Sequence, residues 1–178
     1  MKIAITGKDG YLGKAIIEYL QKDHFIVPLS SNITSIKNTI TNRISGCDVF
    51  INVAYKDRAQ STIFENVYNH WKYKDKTIIN ILTSSLIFGG PNKKYIADKK
   101  HLENLSISLR NEDKKVRITN IYPNTLEHSK VFKYNKLKLE DIAKTIEYVI
   151  SLPQEVEIFS LGISRTTLLN EEKKTLLI

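Results

Sequence analysis

The sequence predicts an α/β fold: one doubly wound parallel sheet with helices on both faces, in a single domain. Three observations carry this. Short β-branched runs alternate with helix-patterned stretches along most of the chain. The runs IAIT, FIVPL, DVFINVA, TIINIL and VRITNI are mostly continuous, as strands buried on both faces read. A glycine turn, TGKDGYLG, lies between the first run and the first helix. Strands alternating with helices imply crossover connections and a parallel sheet.

The elements follow in order. The expected strands are 2–6, 25–29, 48–54, 77–83, 116–121 and 155–159. The expected helices are 11–22, 34–44, 58–71, 95–110 and 139–151. The unit between FIVPL and DVFIN spans the 18 residues 30–47, room for a helix but hardly for a strand as well. The domain is expected over 1–160, with 161–178 as a tail or a segment that packs on a partner subunit.

Composition narrows the class. A chain of 178 residues with 42% hydrophobic content suits one globular domain. No apolar run approaches the roughly 20 residues of a membrane span, and the N-terminus enters a strand without a leader pattern. Cys47 stands alone, so no intrachain disulfide forms; this fits a reducing cytoplasm. The net charge of +8 raises nucleic acid as a partner, but the lysines are scattered rather than gathered in a stripe, and none is expected. His24, His70, His101 and His128 do not pair at metal-ligand spacing, and no metal site is expected.

The glycine turn suggests a phosphate site. Gly7 allows the tight turn, Gly10 lets a pyrophosphate approach the backbone, and Gly13 lets helix pack on strand. The helix N-terminus then offers free N–H groups to the phosphates. Lys8, Asp9, Tyr11 and Leu12 complete this expected cofactor contact. The second strand ends in Ser30, Ser31 and Asn32, with no carboxylate to bind the ribose hydroxyls of NAD. Hydroxyl and amide groups there, with Lys8 nearby, favour NADP(H) over NAD(H), although Ser and Asn also suit a plain turn.

A proton-transfer group is also legible. Tyr95 and Lys99 are four apart in KKYIADKK, so on a helix they share a face. A free tyrosine, with a pKa of about 10, is a poor acid or base at neutral pH; a neighbouring ammonium lowers that value. Ser84 and Ser85, at a strand end in TSSLIFGG, supply a hydroxyl to hold a substrate oxygen.

Together TGKDGYLG, DVFINVAY, IINILTSS, YIADK and VRITNIYPNT resemble the short-chain dehydrogenase/reductase family, in family order over roughly residues 1–160. The resemblance implies a Rossmann-type fold and hydride transfer with a nicotinamide cofactor. It implies that Tyr95 is the acid/base, Lys99 its partner and a ribose ligand, and Ser85 or Ser84 the steadying hydroxyl. It puts Asn52 and Ala54 on the adenosine side and Pro123 and Thr125 near the nicotinamide amide, and makes Asn66 the holder of a relay water. It also implies a homodimer or homotetramer acting on a small-molecule substrate. The chain departs from the family at Tyr55 and Asn124, where glycine is usual. NTLEHSKVFKYNK must serve as the whole substrate lid, which suggests a small or partly open pocket, or one completed by another subunit; His128 within it is a secondary candidate for a substrate contact. A non-catalytic dinucleotide sensor and a nucleotide-sugar reductase or epimerase are the alternatives.

Overall fold

Strand and helix alternate through the computed structural model, which describes residues 1–30, 32–129 and 136–165. The elements are β1 (Lys2–Thr6), α1 (Tyr11–Leu20), β2 (Phe25–Leu29), α2 (Ile33–Arg43), β3 (Val49–Asn52), α3 (Ala59–Trp71) and β4 (Thr77–Ile81). Then come α4 (Ser85–Phe88), α5 (Lys93–Arg110), β5 (Arg117–Pro123), α6 (Leu139–Ser151) and β6 (Ser160–Ile163). The strands form one parallel sheet in the order β2-β1-β3-β4-β5-β6. The order reverses between β1 and β3, which opens a crevice at their carboxyl ends. A common doubly wound order has a further strand outside the second. Here β2 is the edge, because residues 30–47 supply only α2.

Side-chain alternation sends one set of residues to each face. Phe50, Ile78 and Ile118 meet Ile36, Ile40, Phe64, Trp71 and Leu102 from α2, α3 and α5. Ile3, Ile5, Ile51 and Ile79 meet Ile16, Leu20, Ile142 and Ile146 from α1 and α6. Each such side chain contributes roughly 1.5–3 kcal/mol on burial. The central β3, β4 and β5 are buried at every position, whereas β2 and β6 are partly exposed edges.

Polar residues interrupt this core at one level. Asn52, Asn80 and Asn120 are register partners on β3, β4 and β5. Asn52 Nδ2 donates to Asn80 Oδ1 at 3.1 Å, Asn80 Nδ2 to Asn120 Oδ1 at 3.2 Å, and Asn120 Nδ2 to Ser106 Oγ on α5 at 2.7 Å. The ladder pins three strands and a helix in one register.

The last strand differs from expectation. The pattern in EVEIF points to 155–159, but β6 begins at Ser160. Arg117 explains the shift: its Nη1 donates to the carbonyls of Leu152, Pro153 and Val156 at 3.2, 2.9 and 3.0 Å. Glu157 is held as well, by Lys114 Nζ at 3.0 Å and by the Ile118 N–H at 2.7 Å. Those contacts keep 152–157 out of the ladder. The sheet thus runs to Ile163, three residues past the expected domain end at 160, and 166–178 fall outside the described residues. Among the described residues no helix is long and apolar enough to cross a membrane, and no His/Cys/Asp/Glu group of metal-binding size occurs.

Candidate active site

Two joined cavities occupy the crevice at the carboxyl ends of the strands. The smaller, about 340 Å³, lies over the glycine turn and is lined by Gly7, Gly10, Tyr11, Leu12, Gly13 and Ala54, among others. The larger, about 640 Å³, lies over the ends of β4 and β5 beside α5. Leu12, Val53, Tyr55, Leu126 and His128 line both.

The glycine turn is shaped by close contact. Gly7 has φ +82°, and a Cβ there would lie 3.2 Å from the Ala54 nitrogen. A Cβ at Gly13 would lie 2.0 Å from the Gly7 carbonyl oxygen, which excludes any side chain. Thr6 Oγ1 accepts the N–H groups of Val53 and Ala54 at 2.9 and 3.1 Å, fixing the end of β3 against the turn. Gly10 caps α1 without a side-chain hydrogen bond, and its first turn carries no acid. Open helix N–H groups facing a cavity fit the phosphates of a dinucleotide.

The larger cavity holds the side chains expected to move a proton. Tyr95 lies in the first turn of α5, where its N–H donates to the cap Asn92 Oδ1 at 3.0 Å. One turn on, Lys99 is buried; its Nζ donates to the Ile81 carbonyl at 2.7 Å and to Gln60 Oε1 at 2.9 Å. The same Nζ lies 5.5 Å from the Tyr95 ring centroid and 5.7 Å from that of Tyr55. Tyr55 meets Tyr95 edge-on at 4.8 Å and donates its hydroxyl to Asp98 Oδ2 at 2.9 Å.

Burial sets the proton chemistry. It pulls the Lys99 ammonium down to about 7. It pushes the Tyr95 phenol up, opposed by a hydrogen bond to the Thr83 side chain. The expected depression of Tyr95 by Lys99 is not found: burial raises the phenol, and Lys99 Nζ donates to Gln60 and Ile81. A phenol raised above its ordinary value stays protonated at neutral pH.

No protein-family model matches the sequence, and no curated protein is similar to it in sequence. Solved structures are similar in fold. The closed form of a serine dehydrogenase complexed with NADP+ has a TM-score of 0.75 at 16% identity, covering 96% of this chain and 98% of that one. An alcohol dehydrogenase from the archaeon Thermococcus sibiricus, complexed with 5-hydroxy-NADP, gives 0.74 at 15% identity, covering 93% and 97%. A short-chain dehydrogenase/reductase from Vibrio parahaemolyticus gives 0.69 at 12% identity, covering 93% and 100%. The chain has the short-chain dehydrogenase/reductase fold.

On this scaffold the expected site residues divide. Ser84, Ser85, Tyr95, Lys99, Pro123 and Thr125 all line the larger cavity. Ser84 N–H donates to the Pro123 carbonyl at 3.0 Å, and its hydroxyl to Asn124 Oδ1 at 3.2 Å. Asn52 departs from expectation: its fully buried amide belongs to the ladder beneath the site and lines neither cavity. Asn66 is half-buried on α3 and lines neither cavity; Gln60, at the start of that helix, is the side chain that reaches Lys99. Ser30 accepts the Asn32 N–H at 3.1 Å, the local turn that Ser and Asn also suit, and neither lines a cavity. Lys8 pairs with Asp9 at 3.7 Å at the exposed edge of the turn. Ser31 lies outside the described residues.

Sequence reasoning missed Thr83, Gln60 and Tyr55. Thr83 directly precedes the two serines, and the fold puts all three hydroxyls with Tyr95 in the wall of one cavity. The short α4, ended by Gly89 at φ +77°, turns the chain there; a strand expectation running through Thr83 hid it.

Proposed function

We propose that this chain is an NAD(P)-dependent oxidoreductase of the short-chain dehydrogenase/reductase type, acting on a small carbonyl or alcohol. The observation that carries the reading is the Thr83–Tyr95–Lys99 cluster in a cavity that opens onto an uncapped glycine turn. The neighbours complexed with NADP+ and 5-hydroxy-NADP support a nicotinamide cofactor in that crevice. Bound there, a nicotinamide would supply or accept the hydride. Tyr95 donates the proton to the nascent alkoxide in reduction and takes it back in oxidation. Thr83, with Ser84 and Ser85 beside it, steadies the substrate oxygen and Tyr95. Lys99 holds α5 against β4 through the Ile81 carbonyl and keeps positive charge beside the phenol when protonated. Gly7, Gly10, Tyr11, Leu12, Gly13 and Ala54 hold the diphosphate side. NADP(H) is favoured over NAD(H), because no carboxylate ends β2. The enzyme works in the cytoplasm as a homodimer or homotetramer.

Turnover of NADPH and NADH against a broad panel of aldehydes and ketones tests this. Tyr95→Phe should lower kcat by about 100- to 10,000-fold and leave cofactor affinity within about twofold. Unchanged turnover in that variant removes Tyr95 from the chemistry. Tight cofactor binding with no turnover across the panel favours a non-catalytic sensor.

A further inference from the structure

Two aromatic side chains from elements far apart in sequence bridge the cavity over the glycine turn. Tyr11, the first residue of α1, and His128, after β5, stack with ring centroids 5.0 Å apart and planes 25° apart. Both line the cavity with Gly7, Gly10 and Gly13, and His128 lines the larger cavity as well. Tyr11 is 70% exposed, so the pair is not a piece of core. It is a surface contact that spans the crevice. The same cavity is lined by Gly10, Tyr11, Leu12 and Gly13 at the α1 N-terminus. The turn's own ions, Lys8 and Asp9, pair with each other.

We infer that His128 is a cofactor-contacting residue: with Tyr11 it closes over the diphosphate on the glycine turn and holds it, as imidazolium, from the side opposite the helix N-terminus. This rests on the nicotinamide-cofactor reading above. The charged or titratable groups around it are Lys8, Asp9, Tyr11, Glu127 and Lys136, with Tyr55, which lines both cavities beside His128, and Tyr95 and Lys99, which line the larger. Glu127 Oε1 accepts the Leu139 N–H at 3.0 Å. Lys136 Nζ donates to the Glu127 and Ser129 carbonyls. Histidine is the residue type that ordinarily changes charge between about pH 5 and 8. A diphosphate beside a histidine favours its charged form. By linkage, affinity is then highest at acid pH and falls as pH rises.

Fluorescence titrations of NADPH and NADH into wild type and His128→Gln, from pH 5.5 to 8.5, test this. The ratio of variant to wild-type dissociation constant cancels any titration of the cofactor itself. It should be about three- to tenfold at pH 5.5, since one unit of pKa shift is a tenfold change in affinity, and should approach one at pH 8.5. A ratio of one throughout, or a raised ratio that does not change with pH, overturns the role of His128 while leaving the cofactor reading intact. Failure of wild type to bind either cofactor at any pH overturns both.

Discussion

The two sides of the crevice work differently. On the β1–β2 side the candidate contacts are backbone: a turn at Gly7, a close approach at Gly13 and open N–H groups on α1. The sheet there ends in a partly exposed edge strand, and Ser30 spends its hydroxyl on its own turn. On the β3–β5 side they are side chains, and a buried amide ladder and three fully buried strands hold them still. Phosphate binding needs glycines at the right spacing. Proton transfer needs a phenol, a hydroxyl and an amine fixed to within a fraction of an ångström, and thus a rigid layer beneath them.

The first way to break this contrast is at the turn itself. Gly13→Ala should cost roughly 3 kcal/mol or more, because its Cβ would meet the Gly7 oxygen; denaturant unfolding measures it. On the other side Asn120→Ala should cost about 2 kcal/mol by leaving Asn80 and Ser106 without their buried partner. An unchanged unfolding midpoint there would show that the ladder is not what holds β3–β5 in register.

Lys99 gives a pH test. Its folded pKa of about 7 lies below the value of about 10.5 expected when unfolded. Between those values the unfolded chain binds more protons, so wild-type stability rises with pH across that window. Lys99→Met removes the buried charge. It should stabilise the protein by roughly 1–3 kcal/mol at pH 6, and its advantage should shrink from pH 7 to 10.5. An advantage that does not change with pH would mean that Lys99 keeps its ordinary pKa.

The smallest expected effect sharpens the contrast between the glycines. A Cβ at Gly10 meets the Gly7 oxygen at an ordinary 3.5 Å. Gly10→Ala should therefore cost about 1 kcal/mol or less in stability, yet weaken cofactor binding measurably in the same titrations used for His128.

This division also explains what the sequence revealed. The glycine turn, the YxxxK pair and the β-branched strands are local patterns, and each lies where its pattern indicated. The missing outer strand was legible as a short unit. What was hidden depends on contacts between distant residues. Nothing local in Arg117 says that it will draw three carbonyls from 152–156 and displace β6. Nothing local tells Asn52 in a ladder from Asn52 at a ligand, or Thr83 from its two serine neighbours.

The most direct test of the central claim is thermal stabilisation by NADPH, NADP+, NADH and NAD+, each well above its dissociation constant. At about 100 times that constant a ligand adds roughly 2.7 kcal/mol, or about 5–10 °C in Tm for a chain of this size. The account predicts a clear shift, larger with the phosphorylated pair, in wild type and Tyr95→Phe alike. No shift with any of the four would mean that the glycine turn holds no dinucleotide, and the oxidoreductase reading would fall with it.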